Sequence, residues 1–115
     1  MKQLVITERE NIVAIAGGSG ITPFLSLARA IDEGEEDCSL TLLYGCRTSE
    51  EILFKSELDS LSQKNEKIKV VYVLSHSEEE GYEKGFVGAD IIKKYAPEGE
   101  YSIFVCGPGG LYKFL

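Results

Sequence analysis

Apolar positions along the chain gather into four short blocks, Ile12 to Ala16, Leu40 to Tyr44, Ile68 to Leu74 and Ser102 to Cys106. Within each block nearly every residue is apolar or small, rather than every second one, so each is read as a strand buried on both faces. Between the blocks the spacing lengthens to the period of a helix. Phe24, Leu27, Ala28 and Ile31 share one helical face, as do Phe54, Leu58 and Leu61, and then Val87, Ile91 and Tyr95. Strand and helix in regular alternation predict an α/β fold, an open parallel sheet flanked by helices.

Punctuation residues set the expected helix ends. Thr22 caps the first helix, with Pro23 at its first position and Gly34 just past its end. Thr48-Ser49-Glu50-Glu51 has the form of a capping box that opens the second. The third runs from about Val87 to Tyr95 and stops before Pro97. A fourth begins near Pro108 and is still running at Leu115, with Leu111, Phe114 and Leu115 as its apolar positions. That pattern has no C-cap, so the chain is expected to be an excised piece of something longer.

Composition narrows the function classes. The chain has 115 residues, enough for one domain with one core. Its net charge of −7 and pI near 4.7 argue against a nucleic acid or an anionic membrane as the main partner, since polyanion binding rests on clustered Lys and Arg. No stretch approaches the roughly 18 to 20 apolar residues of a membrane helix, and the start lacks a signal peptide's apolar run, so no membrane insertion and a cytoplasmic location are expected. Cys38, Cys46 and Cys106 with the single His76 make neither a disulfide framework nor a zinc set, and cannot hold a four-thiolate iron-sulfur cluster; no metal is expected.

The sharpest chemical signal is Gly17-Gly18-Ser19-Gly20-Ile21-Thr22-Pro23, between the first strand and the first helix. Glycines there let backbone approach a ligand closely, and the helix start beyond them offers unpaired N–H groups, which suits a pyrophosphate. The competing reading is a tight turn that needs glycine for its own geometry. Proline at 23 replaces the third glycine of the usual dinucleotide fingerprint, and the exit of the second strand, Tyr44-Gly45-Cys46-Arg47, carries no acid for a ribose diol, so an ordinary Rossmann dehydrogenase is disfavoured. A receiver domain is disfavoured too, because neither Ala16-Gly17 nor Tyr44-Gly45 supplies its acids. The second signal is Cys106-Gly107-Pro108 at the exit of the last strand block, where a small polarizable thiol and a glycine would admit a flat ring such as nicotinamide. The alternatives are a cysteine that merely packs and, with less support, a nucleophile served by His76.

Four blocks in order carry a resemblance: Gly17 to Pro23; Tyr44-Gly45-Cys46-Arg47-Thr48 with Ile52-Leu53 and Glu57-Leu58; Gly85-Phe86-Val87; and Cys106-Gly107-Pro108. Together they make the chain similar to the pyridine-nucleotide domain of the ferredoxin-NADP reductase superfamily of flavoprotein reductases. The resemblance implies a Rossmann-like half-module over residues 11–115, truncated at its C-terminus so that the family's last strand is missing, with 1–10 as a linker or the tail of a preceding flavin-binding domain. It implies binding of NADH or NADPH, with hydride passing to FAD or FMN on a domain absent from this chain and electrons passing onward to an iron-sulfur or other redox partner. The isolated domain is then expected to be inactive. By the same resemblance Gly17, Gly18, Ser19, Gly20, Thr22 and Pro23 form the pyrophosphate loop; Arg47, Ser75 and His76 lie about the adenosine ribose; and Cys106, with Gly107 and Pro108, lies by the reactive carbon of nicotinamide. NADP-using members often carry Ser-Arg where this chain has Ser75-His76, and Glu78-Glu79-Glu80 follow at once, which favours NADH unless that run is only a solvated loop. The reading from a different class is a non-catalytic nucleotide-binding regulatory module, which would leave the Cys106 block unexplained.

Overall fold

A computed structural model describes residues 11–107 and 110–114. Five parallel strands, β1 (Asn11–Gly17), β2 (Ser39–Cys46), β3 (Ile68–Leu74), β4 (Glu83–Lys84) and β5 (Ser102–Gly107), and one antiparallel strand, β6 (Gly110–Phe114), form a single sheet. The order across it is β4-β3-β2-β1-β5-β6. The chain therefore steps outward from β1 to β4, then crosses back to lay β5 on the other side of β1. The gap above β1 and β5 is the point where the direction of winding reverses, and open α/β sheets bind ligands there.

The two faces of the sheet divide the apolar residues by parity, as strand geometry requires. Ile12, Ala14 and Ala16 of β1, with Leu40, Leu42 and Tyr44 of β2, join the larger core under α1 (Thr22–Asp32) and α2 (Lys55–Lys64). Val13, Leu43, Val71 and Val73 face the other way, toward Ile91, Ile92 and Tyr95 of α3 (Ala89–Tyr95). Near-continuous apolar runs were the cue to burial on both faces, and both faces are covered.

Helix starts depart from the punctuation. Residues Gly18–Ile21 wind into a 3₁₀ turn, so Thr22 is the first residue of α1 rather than its cap, and Ile21 precedes it with no side-chain cap bond. The end of α1 follows the sequence: Gly34, at φ +79°, lets the Glu35 N–H reach the Ala30 carbonyl at 2.9 Å and the Gly34 N–H reach that of Ile31 at 3.1 Å. Residues Ser49–Glu51 form only a 3₁₀ turn, and α2 begins after Phe54, whose φ of +59° breaks the two apart. The capping-box segment thus caps no helix, and Phe54 stands half exposed while Leu58 and Leu61 are buried. The third helix starts at Ala89, which leaves Val87 in the loop before it.

The expectation of a fourth helix is corrected. Residues Gly110–Phe114 pair with β5 as a hairpin strand, Cys106 opposite Leu111 and Gly107 opposite Gly110. The free edge of β5 offers the segment immediate backbone hydrogen-bond partners, which it takes in antiparallel register. Pro108, Gly109, Leu115 and residues 1–10 lie outside the described residues, and with them the expected linker. Among the described residues no helix is long and apolar enough to cross a membrane.

Candidate functional site

The carboxyl ends of β1, β2, β3 and β5 open on one groove of about 510 Å³. That size falls within the range of cofactor clefts. Ala16, Gly17 and Gly18 line it from β1, Gly45, Cys46 and Arg47 from β2, Ser75 from β3, and Val105 and Cys106 from β5, with Glu51, Phe86 and Val87 closing the sides. The two motifs far apart in sequence meet because β1 and β5 are neighbours, with Ala16 registered against Cys106.

The glycine loop is held from below. The Tyr44 hydroxyl donates to the Gly18 carbonyl at 2.8 Å and accepts the Leu53 N–H at 3.2 Å, so one buried phenol ties the loop to the turn before α2. Gly18 has φ +53°, a conformation that favours glycine. Gly17 does not need glycine on that ground: its φ of −129° and ψ of 133° are ordinary strand values. A Cβ built on Gly17 would meet no protein atom within 4 Å. Nothing in the protein forbids a side chain there, so the space that Gly17 keeps open is space in the groove. Gly17 thus lacks the backbone need for glycine that Gly18 has, and both line the groove.

At the opposite wall Cys106 is half buried, packed against the larger core, with its residue lining the groove. Cys46 also lines it but is 9% exposed, and burial pushes its thiol above the usual range. Two strand exits are locked side by side at the third corner, where the Ser75 N–H reaches the Cys46 carbonyl at 3.0 Å and the His76 N–H reaches that of Arg47 at 2.9 Å. The Arg47 guanidinium forks onto Glu51, Nε to Oε1 at 3.2 Å and Nη2 to Oε2 at 2.6 Å. Those bonds hold the Glu51 carboxyl below the usual carboxylate range.

Of the residues marked from sequence, Gly17, Gly18, Arg47, Ser75 and Cys106 line the groove together. Gly20 lies in the 3₁₀ turn behind it, Thr22 is exposed at the start of α1, and Pro23 is buried in that helix. Ser19 belongs to the same turn, and Gly107 ends β5. His76 is exposed one step beyond the groove, its Nδ1 2.6 Å from the Ser75 hydroxyl. Pro108 lies outside the described residues. The β2 exit itself, Tyr44 to Arg47, carries no acid, but Glu51, folded back by the Ser49–Glu51 turn, brings a carboxylate into the groove, and its position four residues after Arg47 was the available signal. The run Glu78 to Glu80 stays outside the groove; Glu79 accepts from Ser49 and Ser77, and Glu78 pairs with Lys84. Phe86, 78% exposed beside the groove mouth, had no role assigned from sequence beyond its place in the family-like block.

The chain is similar to known proteins in both sequence and fold. Residues 14–115 match the model of the oxidoreductase NAD-binding domain. The chain is 43% identical over 99 residues to NADH-cytochrome b5 reductase 1 of Mortierella alpina, covering 82% of this chain and 33% of that protein. It is 40% identical over 114 residues to NADH-cytochrome b5 reductase 2 of Aspergillus terreus, covering 94% of this chain and 36% of that one. Among solved structures it superposes on the cytochrome b5 reductase domain of Ulva prolifera nitrate reductase with a TM-score of 0.80 at 29% identity, over 90% of this chain and 40% of that one. The chain spans about a third of the length of these two reductases.

Proposed function

The chain belongs to the family of oxidoreductase NAD-binding domains, and from that premise we propose that it docks NADH in the groove above β1 and β5 for hydride transfer to a flavin, FAD or FMN, held by another domain of the same protein. In this reading residues 11–115 are the dinucleotide domain and 1–10 the link to the flavin domain. The whole protein is an NADH-dependent reductase in the cytoplasm that hands electrons to a heme or iron-sulfur partner. The two similar reductases are named for NADH and cytochrome b5, which supports NADH over NADPH.

The observation that carries the proposal is the open space at Gly17, in a groove that also holds Cys106. Backbone with no side chain, at the entrance to a helix, admits a pyrophosphate to hydrogen-bonding range. Gly18, Ser19, Gly20 and Thr22 continue that cradle, Pro23 fixes the helix start behind it, and Tyr44 keeps the Gly18 peptide from turning. When bound, the dinucleotide supplies the hydride from C4 of its nicotinamide. Cys106 lines the wall proposed to take that ring, and its role is to set the ring's distance and tilt without bonding to it, with Gly107 next to it at the end of β5. Arg47 and Ser75 face the adenosine ribose with His76 behind them, and the exposed ring of Phe86 offers the adenine a stacking surface.

Gly17→Val tests this directly. Because the Cβ meets no protein neighbour within 4 Å and the backbone has ordinary strand dihedrals, which suit a β-branched residue, stability should stay within about 0.5 kcal/mol of wild type. NADH affinity, measured by calorimetry on the same samples, should fall about tenfold or more. A variant equally stable that binds NADH as well as wild type would overturn the placement of the dinucleotide.

A further inference from the structure

At the ribose end of the groove, discrimination between NADH and NADPH comes down to what meets the 2′ position, a hydroxyl in one and a phosphate dianion in the other. Arg47 is the cation that lines the groove among the described residues, and its guanidinium is already engaged. Glu51 takes the Arg47 Nε–H at 3.2 Å, the Nη2–H at 2.6 Å and the Arg47 backbone N–H at 3.2 Å. Lys84 and Lys55 are committed elsewhere, to Glu78 at 3.3 Å and to Asp59 at 2.7 Å. A phosphate entering here would face a pair of net charge zero whose carboxylate also lines the groove. A hydroxyl would face an acceptor, since a carboxylate with about four lone-pair positions has room for one more donor after three.

We propose that Glu51 is the specificity determinant of this site: by occupying Arg47 and presenting a carboxylate to the 2′ position, it admits NADH and rejects NADPH. This rests on the groove being the dinucleotide site. Charge opposes the phosphate, and the same charge withholds the guanidinium that would otherwise bind it in a bidentate fork. The Glu78 to Glu80 run does not line the groove, so it withholds no groove cation from a phosphate.

The test titrates the full chain with NAD⁺ and NADP⁺, which differ only by the 2′-phosphate, following backbone amide signals by NMR. Wild type should prefer NAD⁺, with a preference that shrinks between low and high salt as screening grows. Glu51→Gln keeps the size of the side chain and an oxygen for Arg47 but removes the charge. It should lower the NAD⁺ over NADP⁺ preference about tenfold, mainly by tightening NADP⁺, and make the remaining preference less sensitive to salt. Adding Arg47→Ala to that variant should cancel the gain in NADP⁺ binding. If both dinucleotides shift Gly17, Gly18 and Cys106 but the preference is unchanged in Glu51→Gln, the role of Glu51 is overturned and the site stands. If neither ligand moves those amides in wild type, the site itself is wrong and the proposal falls with it.

Discussion

Three thiols in one small chain occupy three different surroundings, and this gives Cys106 a signature that packing alone would not. Cys38 and Cys46 are 3% and 9% exposed, whereas Cys106 is half buried on the groove wall. Access therefore favours Cys106, and at Cys46 burial further disfavours the thiolate. Iodoacetamide at pH 7.5 should modify Cys106 first, and saturating NADH should slow that reaction, as read by peptide mass mapping. Labelling of Cys38 or Cys46 ahead of it, or no protection by NADH, would place the nicotinamide elsewhere. Cys106 and Gly17 were legible in the sequence because their neighbours form short motifs. Tyr44 was not. Its apolar neighbours mark it as a strand residue, and only the fold turns its hydroxyl onto Gly18 and Leu53.

Helices α1 and α2 lie on the same face of the sheet, and ion pairs link them at the surface: Lys64 lies 3.1 Å from Asp32, and Arg29 donates to Glu57 through Nε at 2.5 Å and Nη2 at 2.7 Å. The hydrogen bond from Arg29 holds the Glu57 carboxyl below its usual range. A carboxyl whose folded-state value is lowered contributes stability that is present above its unfolded value, about 4.3, and is lost as pH falls through the lower folded value. Urea midpoints measured from about pH 5 down to 3 should therefore fall more steeply in wild type than in Glu57→Gln, and the difference should shrink in high salt because both side chains face solvent. Parallel acid limbs for the two proteins would remove this pair from the account of how α1 and α2 are held. Strand positions followed directly from the apolar runs, since burial on both faces leaves little freedom. Helix starts were less legible. The glycine-rich turn absorbs the first position of α1, and the left-handed Phe54 interrupts what reads as one helix. Both depend on where the sheet requires the chain to go next, which local preferences do not encode.

Over the whole molecule the strand order does what no single motif does. Because β5 returns to the side of β1 opposite β2, Cys106 lies directly across from Ala16, and the glycine loop and the thiol face the same groove. In the full-length protein that carries this domain, Cys106→Ala should slow reduction of the flavin by NADH in stopped-flow measurements more than it raises the dissociation constant. Such a split marks an interaction that serves ring geometry more than affinity. Unchanged flavin reduction would reduce Cys106 to a packing residue.

Taken alone, the sequence determined the α/β class, the four main strands and the two motifs at strand exits. Each of these rests on contacts between near neighbours and on the burial of contiguous apolar runs. Only the tertiary structure decided that Glu51 enters the groove, that Glu78 to Glu80 stay out of it, and that residues Gly110–Phe114 pair with β5. Those outcomes depend on which strands become neighbours and how a turn folds back, and hydrogen bonding across the sheet settles them between residues that the linear order keeps apart.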